Sequence, residues 1–81
     1  MHAIEITIKA HKQIGGMHKA DQGKIYKAIE TLKAWPDCRN VKKLKNREEY
    51  RLRIGNYRIL FMTAPEKITV KEVKKRDERT Y

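Results

Sequence analysis

Three arginines, Arg51, Arg53 and Arg58, are the residues of this 81-residue chain best placed to do chemistry. They lie in EYRLRIGNYRILFM, residues 49–62. Arg51 and Arg53 alternate with Tyr50, Leu52 and Ile54, the period of two that marks a half-buried strand. A second alternating run sets Tyr57, Ile59 and Phe61 against Arg58, Leu60 and Met62. Between them Gly55-Asn56 supplies two residues that tolerate positive φ, the signal of a hairpin. Counting outward from that loop opposes Ile54 to Tyr57, Arg53 to Arg58, Leu52 to Ile59, Arg51 to Leu60 and Tyr50 to Phe61. Paired residues share a face, so the three guanidiniums converge on one sheet surface. Like charges directly opposite destabilise a sheet by roughly 0.2–1 kcal/mol. A face built for stability alone would alternate its signs; this one reads as an anion site.

Guanidinium forks fit phosphate oxygens bidentately and stay charged at every relevant pH. The C-terminal stretch KKRDERTY adds Lys74, Lys75, Arg76 and Tyr81. A last strand pairing beside residues 56–62 brings Arg76 and Tyr81 toward the arginines. Phosphoryl transfer needs charge on the equatorial oxygens and a group that moves protons. Tyr81 is the one plausible proton carrier in this set. Its reference pKa near ~10 makes it a poor base unless cations lower it.

The charge balance of the whole chain agrees with a polyanionic partner. Net charge is +10, and its distribution is uneven. Residues 1–37 hold 6 Lys and Arg against 4 Asp and Glu, whereas residues 38–81 hold 14 against 6. The half that contains the hairpin therefore carries +8 of the net charge, which favours RNA, DNA or an acidic protein segment. A solvated basic surface is the plainer alternative.

The elements that must hold this face follow along the chain. Ile4, Ile6 and Ile8 alternate with polar residues and predict a strand over residues 2–9. A short helix over residues 10–14 is expected before Gly15-Gly16 breaks it. Ile25, Ala28, Ile29, Leu32 and Trp35 form one helical stripe, with Asp21 as its expected cap and Pro36 as its stop. Trp35 reads as core packing. VKKLK, residues 41–45, is extended, and residues 63–67 form a turn. Residues 68–73 are the last strand, where Val73 falls out of the alternation of Ile68 and Val70 and predicts a bulge or a strong twist. The sum is a single α+β domain over residues 1–81: a strand, helices, then three or four antiparallel strands. Hydrophobic content of 40% limits it to a thin core, one sheet face under one helical layer.

Other chemistries find little support. His2, His11 and His18 lack metal-ligand spacing, and no cofactor is expected. Cys38 lies in a loop without a nearby histidine, so neither a disulfide nor a nucleophile is expected. No glycine-rich phosphate loop or acid–base carboxylate pair stands out. A signal-peptide core and a transmembrane run are absent from the pattern, and a cytoplasmic location is expected.

YRLRIGNYRILF, preceded by VKKLK and followed by KKRDERTY, resembles the RelE/ParE superfamily of bacterial type II toxins. The resemblance covers nearly the whole chain, including the terminal R-x-x-x-x-Y. It implies the RelE-like fold: an N-terminal strand and two helices packed on a small, curved, mainly antiparallel sheet. For the RelE branch it implies a ribosome-dependent endoribonuclease that cuts mRNA in the A site by attack of the ribose 2′-OH. By position, Arg51 and Arg53 match the basic pair of the family's strand, and Arg58 its phosphate-stabilising arginine. Arg76 matches the C-terminal arginine and Tyr81 the stacking or base tyrosine; Lys75 stands where many members carry histidine. Lys42, Lys43, Lys45, Lys74, Lys75 and Arg79 are the expected contacts to ribosomal RNA or the mRNA backbone. The implied partners are a cognate antitoxin, with a toxin–antitoxin heterotetramer as one arrangement, and the 70S ribosome with its mRNA. The alternative within the superfamily is a ParE-like, non-enzymatic inhibitor of DNA gyrase. A plain RNA-binding module is a third reading, disfavoured because Tyr26 is the one clear stacking aromatic in the first half.

Overall fold

The architecture follows from a computed structural model that describes residues 2–75. Five strands form one sheet in the order β1-β5-β4-β3-β2. They are β1 (Ala3–Ile6), β2 (Val41–Lys43), β3 (Tyr50–Ile54), β4 (Tyr57–Thr63) and β5 (Lys67–Lys75). Two helices, α1 (Ile8–Gly15) and α2 (Lys19–Glu30), lie between β1 and β2, and a 3-10 turn (Thr31–Ala34) continues α2. All pairings are antiparallel except β1 with β5. The parallel pair closes the sheet by bringing the first strand beside the last.

The β3–β4 hairpin has the register that counting from Gly55-Asn56 predicts, pair for pair from Ile54↔Tyr57 to Tyr50↔Phe61. Gly55 takes a φ of 52° at the first loop position, a conformation that costs glycine nothing. The alternation then sorts the side chains. Leu52, Ile59 and Phe61 are buried under the helices, together with Ile68, Val70 and Val73 of β5. From the helical layer Ala10, Ile14, Ile25, Ile29 and Leu32 complete the core. Each such apolar side chain contributes roughly 1.5–3 kcal/mol by leaving water. Trp35 packs edge-on against Tyr50 and Phe61, with ring centroids 4.7 and 5.6 Å away, the packing role its place in the stripe predicts.

Two expectations need correction. The strand predicted over residues 2–9 stops at Ile6, and α1 begins at Ile8 rather than residue 10. Thr7 decides the boundary: its hydroxyl accepts from the Ala10 amide at 3.1 Å and caps α1. Ile8, which continued the isoleucine alternation, is left 75% exposed. Likewise Asp21 is not the cap of α2. His18 holds that position without a side-chain bond, and Asp21 sits in the first helical turn. The Asp21 carboxylate instead accepts a 2.9 Å hydrogen bond from the Tyr57 hydroxyl, tying α2 to the hairpin.

The bulge expected near Val73 is present. Phe61 pairs with Val70 but Leu60 pairs with Glu72, so Lys71 is an extra residue in β5. That one insertion returns Val73 to the core, 2% exposed, opposite Ile59.

Candidate nucleic-acid interface

The sheet face away from the core carries two neighbouring cross-strand rows. In one, Arg53 of β3, Arg58 of β4 and Lys74 of β5 stand side by side. In the next, Lys42 of β2, Arg51 of β3, Leu60 of β4 and Glu72 of β5 do so. Directly opposed side chains in such rows have Cβ atoms about 4.5–5.5 Å apart. Five cations from four strands are therefore gathered on one surface, the outcome of period-two alternation combined with the hairpin register.

Arg53 is exposed, while Arg51 and Arg58 are half-buried. The Nε of Arg51 is buried and meets no hydrogen-bond acceptor among the described residues. An unmet buried donor costs about 1–3 kcal/mol, a cost that an acceptor oxygen brought to this face relieves. Leu60, only 8% exposed, forms an apolar floor beside it.

Two carboxylates with no part in the sequence-based expectation accompany these cations, Glu72 within the second row and Glu49 two residues before Arg51. Glu72 accepts from Lys9 at 2.8 Å and lies 3.8 Å from Lys74. The Lys9 contact, with Lys74 and Lys71 nearby, holds the Glu72 carboxyl below the usual range despite partial burial. Glu49 is paired with Lys71 at 3.0 Å and Arg47 at 3.7 Å. Alternation signals Glu49, whereas Glu72 joins this face because the bulge at Lys71 shifts the parity of β5. Their cationic partners make them anchors of neighbouring lysines rather than free bases.

Not every sequence-predicted basic residue joins the rows. Lys43 pairs with Tyr50 and Lys75 with Tyr57, both on the helix-facing parity of the sheet. Lys75 instead lines a small cavity with Gly16, Met17, His18 and Tyr57. Lys45 is exposed in the turn before β3. Arg76, Arg79 and Tyr81 lie outside the described residues. The histidines fall away from the arginine rows: His11 meets the Tyr26 hydroxyl at 3.1 Å, and His18 caps α2 by position. Cys38 donates weakly to the Thr31 carbonyl at 3.5 Å, and burial followed by the Asp37 charge pushes its thiol pKa up. A raised pKa disfavours the thiolate that nucleophilic chemistry requires.

Neither a protein-family model nor a curated protein matches the sequence. Solved structures do match the fold. RelE in the archaeal RelE–RelB complex of Pyrococcus horikoshii superposes with a TM-score of 0.81 at 22% identity, over 95% of this chain and 97% of that one. The RelBE2 toxin–antitoxin complex of Mycobacterium tuberculosis gives 0.80 at 15% identity, over 93% and 98%. The isolated E. coli RelE toxin gives 0.80 at 14% identity, over 99% and 89%. The chain has the RelE-like fold that its hairpin and tail motifs imply.

Proposed function

We propose that the protein is the toxin of a type II toxin–antitoxin system and acts as a ribosome-dependent endoribonuclease on mRNA. The observation that carries this reading is the row Arg53, Arg58 and Lys74 beside Arg51 and Lys42 on an open sheet face. Such a face suits a scissile phosphate. In the proposed reaction the ribose 2′-OH loses its proton and attacks the adjacent phosphorus. The bond to the 5′ oxygen breaks, that oxygen takes up a proton, and the products are a 2′,3′-cyclic phosphate and a 5′-OH. Negative charge grows on the non-bridging oxygens along this path, and fixed guanidiniums stabilise it more than they stabilise the ground state.

In this reading Arg58, central in its row, carries most of the transition-state stabilisation, with Arg51 and Arg53 flanking it. Arg76 and Tyr81 complete the set from the tail, Tyr81 as proton carrier or stacking ring. Lys42, Lys43, Lys45, Lys74, Lys75 and Arg79 hold ribosomal RNA or the message. The solved neighbours named above include RelE–RelB complexes, which supports a cognate antitoxin as the resident partner. A ribosomal substrate places the site of action in the cytoplasm.

The test is a translation extract programmed with a defined mRNA. Wild-type protein is expected to cut the message at the A-site codon, and Arg58→Ala to leave it whole. Intact message at toxin levels that stop growth overturns the reading, and lost gyrase supercoiling in the same preparation would favour the ParE-like alternative.

A further inference from the structure

The bulge in β5 has a competing arrangement one residue away. Without the extra Lys71, the pairing Phe61↔Val70 would continue as Leu60↔Lys71, Ile59↔Glu72, Arg58↔Val73 and Tyr57↔Lys74. A one-residue slip sends every following side chain to the opposite face. Glu72 would then enter the core, and Val73 would replace Lys74 beside Arg58.

Three side chains of the α1 segment meet three consecutive residues at this point. The Thr7 hydroxyl donates to the carbonyl of Lys71, the inserted residue, at 3.0 Å. Lys9 pairs with Glu72 at 2.8 Å. The Gln13 side-chain oxygen accepts from the Val73 amide at 2.7 Å. Strand β1 cannot serve here, because its ladder on β5 ends at Ile6↔Val70. Helix α1 takes over the edge, and Gln13 stands in for a strand carbonyl.

We infer that Gln13 is a positioning residue for the arginine site, fixing the bulged register of β5 that sets Lys74 beside Arg58. Hydrophobic burial favours the same register, since it keeps Val73 in and Glu72 out. The Gln13 contact adds a directional requirement that burial lacks: its oxygen meets the Val73 amide only when Lys71 is looped out. The helix therefore reads the register as well as covering the core. The consequence for RNA cleavage rests on the proposed function; the consequence for β5 does not.

Two readouts separate these layers. Gln13→Met keeps length and removes the acceptor, and Gln13→Glu restores an oxygen. Amide hydrogen exchange at Val73 is expected to accelerate at least about tenfold in Gln13→Met and to return toward wild type in Gln13→Glu. Cleavage in the translation extract is expected to fall about tenfold and recover in the same order. Ile25→Val, in α2, serves as a control for general destabilisation and keeps both properties. Unchanged Val73 protection in Gln13→Met overturns the inference, as does equal loss of cleavage in Ile25→Val at matched melting temperature. Exchange that responds in a protein that never cleaves RNA upholds the register role and defeats the functional reading alone.

Discussion

The two rows on the open face share a sheet, a parity and three strands, yet they treat charge differently. The row Arg53, Arg58 and Lys74 has no carboxylate and no apolar member. The row Lys42, Arg51, Leu60 and Glu72 contains one of each. The second row is how a sheet normally tolerates cations: a leucine under the stems and a glutamate within reach. The first sets two arginines directly opposite one another, and its carboxylate contact is the 3.8 Å approach of Glu72 to Lys74 from the neighbouring row. Opposed like charges cost a sheet local stability, and the proposed phosphate site is the reading under which that cost has a use.

The comparison can be broken most sharply at its centre. Arg58→Ala is expected to lower cleavage by about 10²–10³-fold, the effect of removing one transition-state donor, as measured by primer extension on the cut message. Next in size is the salt response. RNA affinity measured against salt should lose about one unit of log–log slope in Arg53→Gln or Lys74→Gln. Lys33→Gln, on the helical layer, should leave the slope unchanged. An equal change in all three would mean that the field is diffuse and the rows are not special.

A smaller effect runs in the opposite direction. Arg53→Thr removes one of two directly opposed cations and is expected to stabilise the fold by about 0.2–1 kcal/mol in urea titration, while cleavage falls. Stability that drops instead would show that Arg53 is held by attractive contacts. The smallest effect belongs to the second row. Lys9 and its neighbours lower the folded-state pKa of Glu72, so its contribution to stability is full above the ordinary glutamate value near ~4.3 and lost as pH falls through the lowered one. Glu72→Gln should flatten that acid limb in thermal melts and leave stability near pH 9 on a level slope.

Much of this face is legible in the sequence. The hairpin register needed only the Gly55-Asn56 loop and a count, because strand parity leaves no freedom once a two-residue turn is fixed. Val73 announced the bulge in the same way, by breaking an alternation that the core enforces. The readings that failed lie where a hydrogen bond outweighed periodicity. Ile8 fits the pattern of Ile4 and Ile6, but the Thr7 hydroxyl starts a helix there and exposes it. Asp21 has the right type for a cap, yet the hydroxyl of Tyr57, 36 residues away, claims its carboxylate. That bond raises the Tyr57 pKa and was invisible because nothing local marks it. Gln13 was equally silent, since a glutamine on a helix gives no sign that its target is a strand amide 60 residues on.

The parallel pairing of β1 with β5 also bears on when the molecule can form. Thr7 and Lys71, bonded to each other, are 64 residues apart in the chain. The first strand finds its neighbour only after the last strand exists, and contacts of such long sequence separation close late in folding. During synthesis the N-terminal strand and α1 must wait for residues 67–75 before the sheet can close. The clamp on β5 therefore cannot engage in a shortened chain, and a translation product halted before β5 would lack Lys74 and the ordered rows. The cationic face is thus a late product of its own translation, assembled only once residues 67–75 have been made.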